Sequence, residues 1–134
     1  MFEHFTNTAI AVLMEGQNEA RRTGHGFLGS EQILLGILKE NNSFAASVLS
    51  EHGINLTNAR AEDEAMTEHG AGSPEEIPFT PEAALIFERA FQAARARHDP
   101  YIQPKHILLA LTESTESVAY RVMENLFANS CSDI

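Results

Sequence analysis

The chain is poor in cysteine, in basic residues and in long apolar runs, and each shortage removes a class of function. One cysteine, Cys131 in a polar tail, can build neither a disulfide framework nor a cysteine-based zinc site, and reads as a stray terminal thiol. Nine Lys and Arg stand against 19 Asp and Glu, giving a formal net charge of −10. Phosphate backbones and anionic lipid surfaces repel such a chain, so no nucleic acid and no membrane is expected as partner. The longest apolar stretches, around Ile33–Leu35 and Ala83–Phe87, fall far short of a membrane span. The opening Met-Phe-Glu-His-Phe-Thr lacks the basic region and apolar core of a secretory signal, and has no transit-peptide character, so a cytoplasmic location is expected. Gly-x-x-x-x-Gly-Lys-[Ser/Thr], the phosphate loop of an ATPase, does not occur. His4, His25, His52, His69, His98 and His106 are scattered without a pair at ligand spacing on one helix, so no metal and no cofactor is expected. Neither a Ser–His–Asp nor a Cys–His arrangement can be argued, and the chain reads as non-enzymatic.

What the chain has instead is an internal duplication. Ile33-Leu34-Leu35 returns as Ile107-Leu108-Leu109, 74 positions later, and the same offset pairs Phe5-Thr6 with Phe79-Thr80, Ala20-Arg21 with Ala94-Arg95, and Val48 with Val122. Phe5–Leu49 and Phe79–Met123 agree at 11 of 45 positions without a gap, where composition alone gives roughly 3. The identities fall mostly on capping and apolar positions, which conserve a fold. At 134 residues the chain suits two half-size units sharing one core.

Apolar spacing and capping signals make the protein all-α, two pseudo-symmetric repeats of about four and three helices packed into one compact bundle. Repeat one covers about 1–69. Its helices are expected at about Asn7–Thr23, capped by Thr6; from Ser30 as N-cap to about Glu40; from Ser43 towards Gly53; and from about Asn58 to His69, capped by Thr57. An acidic linker follows at about 70–78, overlapping a strip from Glu62 to Glu76 that has no Lys or Arg and reads as solvated or as a docking strip for a basic partner. Repeat two covers about 79–128. Thr80-Pro81-Glu82 opens it with a cap, a first-turn proline and an acidic first turn; helices run to about Arg97–His98, from Pro104 to about Thr112, and over about Ser117–Ala128, before a polar tail at 129–134. Nothing after the last helix corresponds to the fourth helix of repeat one.

Phe-Thr-x-x-Ala at each repeat start, Glu19-Ala20-Arg21-Arg22-Thr23-Gly24-His25 and then Gly29-Ser30-Glu31-Gln32-Ile33-Leu34-Leu35-Gly36-Ile37-Leu38 closely resemble the double Clp repeat of Clp chaperone ATPase N-terminal domains. The resemblance runs from Met1 to about Leu126. It implies a helical bundle that docks adaptors and substrates for the Clp protease. Without ATPase modules, the chain resembles the free-standing Clp-repeat proteins that act as accessory subunits or modulators. The implied partners are a Clp ATPase, Clp protease subunits, and adaptor or client proteins. The alternative is a regulator or small-molecule sensor unrelated to proteolysis, its ligand held between the repeats. The family's Glu-His before Ile-Leu-Leu is here Glu31-Gln32 in one repeat and Lys105-His106 in the other, so the two sites are not equivalent.

In the family's phosphoarginine-reading members a glutamate at this position does the reading, which carries that role to Glu31, with Ser30 and Thr6 beside it. The residues alone also allow the simpler role of a first-turn carboxylate complementing the helix dipole. Lys105 reverses the charge at the matching spot. Gln32 and His106 read as equivalent, partly buried hydrogen-bonders that tie the second helix of each repeat to its neighbours. Arg21, Arg22, Arg89, Arg95 and Arg97 concentrate basic charge on the two first helices, as a docking face for an acidic partner or as solvated side chains.

Overall fold

Thr6 and Thr80 do the same work 74 residues apart: each hydroxyl accepts from the backbone N–H three residues on, Ala9 at 3.2 Å and Ala83 at 3.0 Å, and so opens a sixteen-residue helix. The computed structural model describes residues 2–66 and 77–132. A short 3-10 turn, Phe2–His4, precedes seven α-helices in the described residues: α1 (Asn7–Arg22), α2 (Ser30–Glu40), α3 (Phe44–Glu51), α4 (Leu56–Met66), α5 (Pro81–Ala96), α6 (Pro104–Glu113) and α7 (Val118–Ser132). Offset by 74, α5, α6 and α7 repeat α1, α2 and α3, and among the described residues α4 has no counterpart.

The helices end where backbone chemistry requires. Gly24 takes φ 71° after α1, and His98, its counterpart after α5, takes φ 58°. The left-handed turn is thus kept although the glycine is not. Three boundaries differ from the sequence expectation. Gly29, not Ser30, is the N-cap of α2, because Ser30 already has helical geometry and turns its hydroxyl elsewhere. Asn55 and Asn58, not Thr57, open α4, each side-chain oxygen accepting the other's backbone N–H at 2.9 Å. The last helix continues through residues read as polar tail, to Ser132. The expected end of repeat one, 67–69, and most of the linker, 70–76, lie outside the described residues, as do 1, 133 and 134. The linker's described end is anchored: Ile77 is buried in the core, and the carbonyl of exposed Pro78 accepts from Leu28 N–H at 2.8 Å.

The repeats are joined by two crossed rungs. Phe5 pairs in parallel with Ile102, and Phe79 pairs in parallel with Leu28; Leu28 and Ile102 are themselves 74 residues apart. Each helix start is thereby pinned to the other repeat. Around these rungs Phe87 receives Phe5 and Phe79 edge-on, at centroid distances of 6.1 and 5.0 Å. Within repeat one, α1 and α2 meet backbone to backbone at Gly16 and Gly36, where a Cβ on Gly16 would lie 2.9 Å from the Gln32 carbonyl oxygen. Ala90 and Ala110 stand at the matching positions of α5 and α6.

Candidate functional site

The crossed rungs create two related seams. In one, the start of α2 faces the starts of α5 and α7; in the other, the start of α6 faces the starts of α1 and α3. The residues correspond pair by pair: Ser30 with Pro104, Glu31 with Lys105, Thr80 with Thr6, Glu82 with Thr8, and Val118 with Phe44.

The first seam is closed by a carboxylate. Glu82 Oε1 accepts from the Val118 N–H at 3.3 Å and from the Ser30 hydroxyl, while Ser30 Oγ accepts from the Ala119 N–H at 3.1 Å. Two of the free N–H groups at the start of α7 are thus satisfied from neighbouring helices, Val118 by the Glu82 carboxylate and Ala119 by the Ser30 hydroxyl bonded to it. Ser30 is fully buried in this arrangement. Glu31 is 7% exposed, and its carboxylate folds over Gly29, where a Cβ would lie 2.9 Å from both oxygens. Burial, and then the Glu82 charge, push the Glu31 carboxyl above its ordinary pKa. Asp63 on α4, buried, faces Glu31, His25, Glu64 and Arg22; burial first, and the two carboxylates next, push it up to about 6. The setting of Glu31 is therefore acidic.

The second seam is open. Thr8 is too short to do what Glu82 does, and Pro104 has neither the hydroxyl of Ser30 nor an N–H. A cleft of about 210 Å³ remains, lined by Thr6, Thr8, Ser43, Phe44, Pro104 and Lys105 among others. Phe44 is 71% exposed and Lys105 is exposed. Thr6 thus belongs with Lys105, and Thr80 is the threonine beside the start of α2, its N–H bonding the Leu28 carbonyl at 3.0 Å.

Gln32 and His106 are both 1% exposed and bond the backbone three residues back: Gln32 Oε1 accepts from Gly29 N–H at 2.7 Å, and His106 Nδ1 from Gln103 N–H at 2.9 Å. Each then reaches the turn before its helix, Gln32 towards His25 at 3.5 Å and His106 Nε2 to Asp99 at 2.8 Å. His25 and Asp99 are again counterparts, so the histidine has changed ends of the same contact. Because Nδ1 accepts, the His106 ring proton sits on Nε2 and donates to Asp99, which holds that carboxyl below its usual range.

Each of the five arginines has a contact within the chain. Arg22 binds Glu19 at 3.3 Å and Glu64 at 3.0 Å; Arg89 donates to Ser114 at 2.6 Å and to Glu116 at 3.2 Å. Arg95 lies 5.7 Å over the Phe91 ring, Arg97 reaches the Ala93 carbonyl at 3.3 Å, and Arg21 reaches Asn18 at 3.5 Å. The described acids of the strip from Glu62 are likewise engaged: Glu62 accepts from Asn125 at 2.9 Å, Glu64 from Arg22, and Asp63 is inside. Sequence reasoning missed Glu82 and Asp63 as site residues. The repeat alignment contains the signal for Glu82, since it sets a carboxylate against Thr8, and helical spacing contains the one for Asp63, four residues after buried Ala59.

Residues 4–126 match the family model described as Clp repeat (R) N-terminal domain. The chain is 49% identical over 130 residues to the chloroplastic ClpA homolog of Brassica napus, an ATP-binding subunit of the ATP-dependent Clp protease, covering 96% of this chain and 15% of that protein. It is equally 49% identical over 130 residues to the chloroplastic chaperone protein ClpC1 of Arabidopsis thaliana, covering 96% of this chain and 14% of that one. The chain thus spans about one seventh of the length of these relatives. Among solved structures, the N-terminal domain of the chaperone ClpD from Arabidopsis thaliana superposes with a TM-score of 0.77 at 27% identity, over 99% of both chains. The N-domain of ClpV from Vibrio cholerae shares the fold, with a TM-score of 0.76 at 14% identity over 95% of this chain and 82% of that one.

Proposed function

The chain belongs to the Clp repeat (R) N-terminal domain family, and we propose that it is a non-enzymatic protein-interaction module of the Clp chaperone–protease system. It binds a Clp ATPase, Clp protease subunits, or their adaptors and clients, as an accessory or modulator. We place it in the cytoplasm, while the plant relatives carry chloroplastic names.

The observation that carries this reading is the difference between the seams. Glu82 is an internal precedent for the group that suits such a helix start, and the open seam lacks it while presenting Lys105 and Phe44 to solvent. A carboxylate side chain of a partner, flanked by an apolar residue against Phe44, has a place there. For Glu31, the role taken from the family is a grip on a guanidinium. Glu31 is 7% exposed in the closed seam, so a grip on a guanidinium requires the seam to open, and the neighbouring Glu82 and Asp63 then oppose the phosphate of a phosphoarginine more than the cation of an arginine.

The test is a pull-down from native lysate of the source organism with the wild-type chain and with Lys105→Glu. Clp subunits, adaptors or clients are expected with the wild type and several-fold less with the variant. Recovery of no Clp component would overturn the reading; equal recovery by the variant would move the contact away from the open seam.

A further inference from the structure

The two seams differ in what their helix-start N–H groups meet. At the start of α7, Val118 N–H donates to Glu82 and Ala119 N–H to Ser30. Their counterparts at the start of α3 are Phe44 and Ala45, and Ala45 is 0% exposed. Ser43, the N-cap, accepts from Ala46 N–H with its hydroxyl and from Ser47 N–H with its carbonyl, each at 3.2 Å, whereas no group among the described residues accepts from Phe44 or Ala45. A buried N–H without an acceptor is costly, so oxygens belong at this place. Thr8, the counterpart of Glu82, stands half-buried in the same cleft, and its hydroxyl makes no bond among the described residues. The hydroxyl of Thr6 is already committed to the Ala9 N–H. Lys105 is the charged side chain of the lining, and no carboxylate belongs to it.

We propose that Thr8 is a phosphorylation site whose phosphate closes this seam from within, as Glu82 closes the other. The acceptor oxygens of phosphothreonine stand as many bonds from Cα as those of glutamate, and there are three of them. One accepts from Phe44 in the role of Glu82, one from Ala45 in the role of Ser30, for which Pro104 has no substitute, and one pairs with Lys105. The new charge also lies in the first turn of α1, where it complements the helix dipole. A protein kinase reaches the hydroxyl by local opening of that turn, which two backbone bonds hold to repeat two, Thr6 N–H to the Ile102 carbonyl at 3.0 Å and Ile102 N–H to the His4 carbonyl at 2.7 Å. In the transfer, a bond forms between Thr8 Oγ1 and the γ-phosphorus of ATP, the bond from that phosphorus to its bridging oxygen breaks, ADP leaves with the electron pair, and the hydroxyl proton passes to the kinase's base. A filled cleft no longer admits the carboxylate of a partner, so the modification switches docking off. That consequence rests on the function proposed above, whereas the closure itself does not.

The test compares the whole chain carrying genetically encoded phosphothreonine at position 8 with the unmodified chain, by amide hydrogen exchange in NMR. Phe44 and Ala45 are expected to exchange about tenfold more slowly in the phosphorylated chain, with most of that gain lost in Lys105→Ala. The unmodified chain, incubated with ATP and native lysate of the source organism, is expected to acquire a phosphoryl group on Thr8, located by peptide mass spectrometry with Thr8→Val as the control. Unchanged exchange at both amides, or phosphorylation that never reaches Thr8, would overturn the proposal. The native pull-down is then repeated with the phosphorylated chain. Reduced recovery of Clp components supports the switch, and recovery equal to that of the unmodified chain overturns it. A wild-type chain that recovers no Clp component defeats the proposed function alone, since the exchange and phosphorylation results do not depend on it.

Discussion

Arg60 grips both oxygens of Glu19, Nε at 2.8 Å and Nη2 at 2.7 Å, yet the two partners live in different surroundings: the Glu19 side chain is 0% exposed and that of Arg60 31%. Burial works against the Glu19 charge, but the Arg60 bonds, with the charges of Arg60, Arg22 and Lys39, outweigh it and hold the carboxyl below its usual range. The network ties α1 to α2 and α4. Arg60→Ala leaves the buried carboxylate with only the longer contacts to Arg22 and Lys39 and is expected to cost about 3 kcal/mol in urea unfolding at pH 7. Adding Glu19→Leu removes the stranded charge and is expected to restore part of the loss; a double variant no better than Arg60→Ala would contradict this.

Asp63 gives the opposite pH dependence to an ordinary paired carboxylate. Its pKa rises from 3.8 to about 6 on folding, so between those values the native state holds a proton that the unfolded chain has lost. Stability from this group is complete below the unfolded value and lost as pH rises through about 6. Above that range the penalty is roughly 2–3 kcal/mol. Asp63→Asn removes the proton dependence and is expected to raise Tm by several degrees at pH 8 and by almost nothing at pH 3.5. A variant that gains equally at both pH values would point to some other cause.

Gly36 is fixed by the α1 backbone. A Cβ there would run into the carbonyl oxygen of Val12 and lie 3.0 Å from Gly16 N, neither of which can rotate away. Gly36→Ala is expected to cost about 2–3 kcal/mol despite the gain in helix propensity. Repeat two provides the control, since Ala110 already occupies the matching position of α6. A Gly36→Ala chain as stable as the wild type would mean that α1 and α2 can separate freely.

The acidic seam should discriminate between two forms of the same side chain. Calorimetry with an arginine peptide and its phosphoarginine counterpart is expected to give heat with the first, reduced by Glu31→Gln, and little with the second. Tighter binding of the phosphorylated peptide would show that the surrounding carboxylates do not decide the ligand.

Much of the scaffold was legible because its signals are local. Thr80-Pro81-Glu82 and Ser43 open helices by hydrogen bonds spanning three residues, and the apolar faces of α2 and α6 follow helical spacing. The site was less legible because its partners are not neighbours in sequence. The family resemblance sets Thr6 beside Glu31, whereas the rungs Phe5–Ile102 and Phe79–Leu28 cross between repeats and bring Thr80 there. Asp63 sits in a run of acids that resembles a solvated strip, and the packing of α4 on α2 and α7 sets it apart from Glu62 and Glu64. Ser30 looked like a cap because its type favours caps. Its hydroxyl instead serves a helix 89 residues away.

The crossed rungs also bear on ancestry. Since each half completes the other through the same two contacts, a single unit would meet an identical copy in the same way, as a two-fold dimer. The fused chain is that dimer with a tether, which replaces a concentration-dependent encounter by an intramolecular one. In a dimer of identical units any substitution appears twice and must suit both settings. The tether lifts that condition, so one seam could become an internal strut while its twin remained available to other molecules.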